Sequence, residues 1–194
     1  MKLSAQEMLN KFSKNLSHPE NVKKYSLMIF DEVNEKIHEM PDKYRRFLEA
    51  ASLLHDIGYY KDSKSHNKHS MNMIIQEGLD GFSPIEERII GCICRYHRGS
   101  LPDKKEHDVY NTFEKKERKI VKRLAGILRI ADGLDKGHIG QIEKIAISYD
   151  EDHDIAEILL TPKTPEFLPD ISDAIKKRDL FEIAFKCQCV LKFV

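Results

Sequence analysis

Residues 53–60, LLHDIGYY, place an adjacent histidine and aspartate, His55-Asp56, at the C-terminal end of an apolar helix, just before Gly58. Burying such a polar pair within an apolar run costs free energy unless something satisfies it. Adjacent helical residues point about 100° apart, so both side chains can lean towards one point at the helix edge. A divalent cation satisfies a neutral imidazole and a carboxylate together. Phe47, Leu48, Ala51, Leu54 and Ile57 give that helix its apolar face, with Asp42 as its cap after Pro41. A lone His-Asp pair is common at surfaces and caps, so the rest of the chain decides its meaning.

Outward from this pair, the pattern is helical over nearly 140 residues. Leu3, Met8, Leu9 and Phe12 predict a short opening helix. His18-Pro19-Glu20 starts the next one, with Pro19 in the first turn, where its missing N–H costs nothing. Val22, Tyr25, Leu27, Met28, Ile29, Val33 and Ile37 continue it down to Pro41. A polar loop at 61–65 precedes a helix from His66 to Gln76. Ser83-Pro84-Ile85-Glu86 carries a capping box and opens a helix running towards Gly99. The polar stretch 99–112 separates it from a long helix over 115–132.

After Gly140 the period changes. Ile142, Ile145 and Ile147, then Ile155-Ala-Glu-Ile-Leu-Leu, predict an antiparallel strand pair. Pro162 and Pro165 end the second strand, and a helix is expected over 166–178. Phe181, Ile183, Phe185, Cys187, Cys189, Leu191 and Phe193 share one parity, which predicts a strand with one buried face. The fold class is therefore mainly α: a helical bundle over 1–140, then a small β-β-α-β appendage over 141–194. The apolar face of the last strand requires cover, from the 166–178 helix, the helical domain or a homodimer contact.

Composition narrows the function classes. The 194 residues carry 32 Lys+Arg against 32 Asp+Glu, and 41% are hydrophobic. That is an ordinary globular balance, not a disordered chain. No basic excess advertises a nucleic-acid coat, so nucleic acid is not an expected partner. The local cluster from Lys115 to Arg123 is interrupted by Glu117 and reads as a solvated helix face. No run approaches the roughly 20 apolar residues of a membrane span, and the first residues lack a secretory h-region. A soluble, cytoplasmic protein is expected. Cys92 and Cys94 face different ways on a helix, and Cys187 and Cys189 share an apolar face, so none is expected to bind zinc.

The His55-Asp56 pair has company. His18 and His66 lie at helix starts, His97 near a helix end, and Asp132 in the segment RIADGLD, residues 129–135. Helix bundles converge such side chains into metal sites. The order His18, His55-Asp56, His66, His97, Asp132 resembles the metal-ligand set of the HD superfamily of phosphohydrolases, in the extended version that holds two metals. The stretches LLHDIGYY, HNKHS, EERIIGCICRYHRGSLP and RKIVKRLAGILRIADGLDKGH are similar to the C-terminal HD region of the exopolyphosphatase/guanosine pentaphosphatase (Ppx/GppA) family. HPENVKKYSLMIFDEV resembles that region's first helix, and the tail its final segment. Those proteins also carry an N-terminal actin-like module with Gly-rich phosphate loops. No such motif occurs in this sequence, so the polyphosphate chemistry of that module is not carried over and a stand-alone HD domain is expected.

The resemblance implies a divalent-metal phosphohydrolase acting on a nucleotide or other small phosphate ester. The metal ligands would be His18, His55, Asp56, His66, His97 and Asp132, with His66 and His97 serving the second metal. Asp56 would bridge the metals, and Asp132 would complete the ligand set of the first metal and orient the nucleophilic water; these two are the catalytic candidates. Two metals about 3.5–4 Å apart can lower the pKa of a bound water and grip a phosphate. One or two ions of Mn, Fe, Zn, Co or Ni suit this mixed shell, with Mg a further candidate. Arg98, Lys68, His69 and Lys136 are the expected substrate-phosphate contacts, Arg98 first because a guanidinium grips phosphate with two prongs. Arg129 and His138 are weaker candidates, and Asp135 an acceptor near the site. Two other classes stay open: a non-catalytic module binding a nucleotide, alarmone or polyphosphate, and a di-iron oxygenase on the same fold.

Overall fold

Local chemistry fixes where the helices begin. In the computed structural model, which describes residues 2–194, Ser4 and Ser83 each close a capping box with Glu7 and Glu86. These boxes open α1 (Ala5–Phe12) and α5 (Pro84–Arg95), and Pro84 occupies the first turn of α5. Pro19 plays the same part in α2 (Ser17–Lys36), and α3 runs Asp42–Leu54. A 3-10 turn, Ile57–Tyr60, follows His55-Asp56 and leads to α4 (His66–Glu77). The polar stretch after α5 holds a one-turn helix, α6 (Asp108–Asn111), before the long α7 (Lys115–Leu134).

From Leu124 to Leu134, α7 is buried on almost every side. A helix apolar all round belongs at the centre of a bundle, and α2, α3 and α5 all pack on it. The N-terminus of α2, the C-terminus of α3, the N-terminus of α4, the C-terminus of α5 and the last turn of α7 meet at one side of this bundle. Among the described residues, no helix is long and apolar enough to cross a membrane. All four cysteines are buried and free.

The chain then forms β1 (Ile142–Asp150), β2 (Ile155–Pro162), α8 (Ser172–Lys176), α9 (Asp179–Phe185) and β3 (Gln188–Phe193). Strand order is β1-β2-β3, antiparallel between the first two (Ile145 opposite Leu160) and parallel between the last two (Ile158 opposite Leu191). The outer edge of β1 is not left open. Its Ile142 and Ile147 N–H groups donate to Tyr25 Oη (3.0 Å) and the Glu32 carboxylate (2.7 Å), both on α2. The mainly α fold with a small C-terminal sheet that the sequence predicts is present.

Two tail expectations need correction. The predicted strand over 181–193 is a helix up to Phe185 and a strand only from Gln188. Period 2 misleads here because Ile183 is 52% exposed, while Leu180 and Phe181 are buried. Phe181 and Phe185, four apart, bring their ring centroids to 4.6 Å, which is helical spacing. The helix expected over 166–178 shrinks to the five residues of α8. Pro169 explains this, since it lacks an N–H and biases Leu168 away from helical dihedrals.

The tail docks on α7 through small residues. A Cβ on Gly133 would lie 2.4 Å from the Ala174 backbone nitrogen, closer than any real side chain tolerates. Gly133→Ala should therefore push α8 off α7 and cost about 1–3 kcal/mol. A denaturant melt reads this directly, and an unchanged midpoint would contradict the tight docking.

Candidate metal centre

Four imidazoles and two carboxylates converge where those helix ends meet. His18 enters at the first turn of α2, and His55 caps the end of α3. Asp56 starts the 3-10 turn, and His66 is the first residue of α4. His97 lies two residues past α5, and Asp132 in the last turn of α7. All four histidines are at most 3% exposed. The turn carrying Asp56 is pinned to α4 by a hydroxyl: Gly58 N–H donates to Ser70 Oγ (2.9 Å), and Ser70 Oγ donates to His55 O (2.7 Å). Only glycine permits this approach, because a Cβ at Gly58 would sit 1.9 Å from His66 O.

The backbone decides which ring nitrogens face inward. The Nδ1–H of His55, His66 and His97 donates to the carbonyls of Ser52 (2.7 Å), Ser63 (2.9 Å) and Cys94 (2.6 Å), each three residues earlier. A carbonyl can only accept, so Nδ1 carries the proton in all three and, whenever the ring is neutral, Nε2 presents a lone pair. His18 is held instead by a buried carboxylate, Asp135 Oδ2, 2.8 Å from its Nδ1. Asp135 also accepts from Asn21 (3.2 Å) and the Gly140 N–H (2.8 Å). It is thus an N–H acceptor that orients a ligand from behind.

The lone pairs form two groups about one aspartate. Asp56 Oδ2 lies 3.5 Å from His55 Nε2 and 3.8 Å from His18 Nε2. Its Oδ1 lies 3.2 Å from His66 Nε2 and 3.5 Å from His97 Nε2. Within each group the two Nε2 atoms are only 3.3 Å apart. Asp132 Oδ1 joins the first group at 3.2 Å from His18 Nε2 and 3.6 Å from His55 Nε2. Each of the sets His18–His55–Asp56 and Asp56–His66–His97 brings its ligand atoms within 4.8 Å of one another. Inward-facing imidazole lone pairs beside carboxylates fit a cation and suit little else.

Electrostatics follow from this crowding. Burial works to lower the His18 pKa, but the hydrogen-bonded carboxylates of Asp132 and Asp135 outweigh it and lift it to about 9. Burial, then the charge on His55, drives His97 down to about 3. Burial opposes ionisation of Asp56 too, yet the surrounding imidazoles hold its carboxyl below the usual carboxylate range. Asp132 is likewise held well below its ordinary value, by its hydrogen bonds to His18 and His55 against burial. Asp132 stands near a helix C-terminus, where the macrodipole disfavours a carboxylate. Lys177 compensates: its Nζ lies 2.7 Å from Asp132 Oδ2 and 2.6 Å from Asp173 Oδ2.

The site opens into a cleft of about 930 Å³, within the range of small-molecule pockets. Arg98 and Lys136 line it, as do Lys14 and Lys177. Lys136 is exposed and paired with Asp170 at 2.7 Å. Lys68 is exposed and His69 half-buried on α4, and neither is among the residues lining the cleft. Arg129 is buried away from it, donating to the carbonyls of Tyr96 (3.1 Å), Gly99 (3.4 Å) and Lys177 (3.3 Å). It clamps the His97 loop to the tail. His138 stacks on His18 (3.9 Å, 15° between planes), and Tyr59 stacks on His66 (3.9 Å, 18°). Sequence reasoning overlooked Tyr59 and Lys177; the lysine lies in DAIKKRDL, residues 173–180, which carries no local mark of a site.

Two outcomes are expected. Below pH 9 a proton on His18 competes with a cation for Nε2. Apparent metal affinity should therefore rise by about tenfold per pH unit and flatten above pH 9. A pH-independent affinity in titration calorimetry would contradict this. The metal-free protein has the opposite trend, because a raised pKa stabilises the fold fully below about 6.5, the unperturbed His value, and that contribution is lost as pH climbs through about 9. Asp135→Ala should weaken metal binding by about 10–100-fold by freeing the His18 ring; an affinity equal to wild type would remove Asp135 from the site.

No curated protein matches the chain. A family model does, that of the Ppx/GppA phosphatase, domain III, over residues 2–170. With that match spanning most of its length, the chain belongs to the Ppx/GppA phosphatase domain III family.

Proposed function

We propose that this protein is a divalent-metal-dependent phosphohydrolase acting on a small phosphate ester such as a nucleotide. One observation carries the reading: the two oxygens of Asp56 face separate histidine pairs at the floor of an open, cation-lined cleft. A single carboxylate so divided suits two adjacent cations. His18, His55, Asp56 and Asp132 would hold one, and His66, His97 and Asp56 the other, which then has fewer protein donors. Membership of a phosphatase family supports a phosphorylated substrate. The imidazole-rich shell favours Mn, Fe, Zn, Co or Ni.

Two such cations supply a nucleophilic hydroxide near neutral pH and positive charge for the phosphoryl oxygens. The chain's own residues do the rest. Asp132 faces the first group with Oδ1 and orients a nucleophile there by accepting its hydrogen bond. Arg98, exposed beside His97, grips a phosphate oxygen from the rim. Tyr59 and Tyr60, 52% and 65% exposed, offer aromatic faces along the cleft, which fits an ester bearing a flat ring.

Hydrolysis of p-nitrophenyl phosphate and a nucleotide panel by metal-loaded protein tests this. His55→Ala or Asp56→Ala should lose bound metal and at least about 100-fold in kcat/KM together. His66→Ala should lose one of two ions by elemental analysis. Metal-replete protein that binds nucleotides without turnover would contradict the enzymatic reading and leave a binding module. Iron-loaded protein that consumes oxygen and hydrolyses nothing would contradict it in favour of an oxygenase.

A further inference from the structure

The family match ends at residue 170, yet one cleft cation comes from beyond it. Lys177 follows α8, in the segment that leads to β3. Its side chain is only 20% exposed, and its ammonium sits between Asp132 Oδ2 and Asp173 Oδ2. An ammonium has three N–H donors. Two are engaged by these carboxylates, which leaves one for a partner in the cleft that Lys177 lines. The Oδ1 of Asp132 faces the histidines while its Oδ2 faces Lys177. One carboxylate thus separates the lysine from the cation site, so a phosphoryl group bound there lies within reach of both.

The position is built rather than incidental. Gly133 lets α8 lie directly against α7, one residue past Asp132. Arg129, one turn before Asp132, donates to the Lys177 carbonyl and to the Tyr96 and Gly99 carbonyls with the same guanidinium. The lysine is therefore fixed relative to the loop that carries His97 and Arg98. Lys136 and Lys14 are exposed at the cleft, and Lys136 pairs with the exposed Asp170 rather than with a carboxylate of the metal centre.

Resting on the phosphohydrolase reading, we infer that Lys177 is a substrate-binding residue whose third N–H donates to a phosphoryl oxygen, so that the C-terminal segment completes the active site.

The test uses full-length protein loaded with Mn²⁺ and inorganic phosphate as the probe, read by titration calorimetry beside elemental analysis. Lys177→Gln should weaken phosphate binding by about 10–100-fold with Mn content unchanged. Lys177→Arg, which keeps the charge, should restore most of the affinity, and Lys176→Gln, on the exposed neighbour, should stay within about twofold of wild type. Phosphate affinity in Lys177→Gln equal to wild type overturns the inference alone. Loss of Mn with phosphate also overturns it, because Lys177 would then serve only the metal site. Wild-type protein that takes up Mn but binds no phosphate overturns both the inference and the reading beneath it. A second measurement needs no variant: in Zn²⁺-loaded wild type the Lys177 side-chain NMR signal should move on adding phosphate, and an unmoved signal overturns the inference.

Discussion

A half-buried carboxylate that turns each oxygen towards a different pair of imidazole nitrogens calls for positive charge on both sides. Asp56 is in that position, with His18 and His55 on one side and His66 and His97 on the other. Much of the bundle serves to hold this arrangement. Five helix ends have to stop within a few ångströms of one another, and each stop is written in local chemistry. Pro19 sits in the first turn of α2 beside His18, the Gly58 turn leaves Asp56 facing inward, and the last turn of α7 carries Asp132. Without positive charge the cluster repels itself, and a proton on His18 stands in when no cation does.

The histidines are aimed by one recurring device. Three of the four give their Nδ1 proton to the backbone carbonyl three residues before them. Each helix terminus thereby gains a hydrogen bond and fixes a ligand tautomer with the same contact. His18 makes no such backbone contact. A buried side chain, Asp135, replaces it. Asp132 has the inverse problem, a carboxylate at a negative helix end, and Lys177 answers it from the tail.

Most of this was legible in the sequence, for reasons that can be stated. Helix starts at Ser83-Pro84 and His18-Pro19 depend on side chains a few residues apart, so local reading finds them. The site follows because metal-capable residues at helix ends are conspicuous against an apolar background. Failures came where long-range packing decides. Phe181, Ile183 and Phe185 alternate like a strand, but Gly126 lets the backbone of Phe181 approach α7 to within 2.9 Å of a would-be Cβ, and a helix docks there. Lys177 was invisible for the same reason: its partner lies 45 residues earlier. Nearness to His66 in sequence is all that points to Lys68 and His69. Neither lines the cleft, although both follow His66 on α4 within three residues.

The division of Asp56 between two cation positions is the point on which the account stands. Anomalous diffraction from Mn²⁺-soaked crystals addresses it most directly. Two peaks about 3.5–4 Å apart should flank the Asp56 carboxylate, one bounded by His18, His55 and Asp132, the other by His66 and His97. A single peak, or density bound by neither histidine pair, would contradict the two-cation centre.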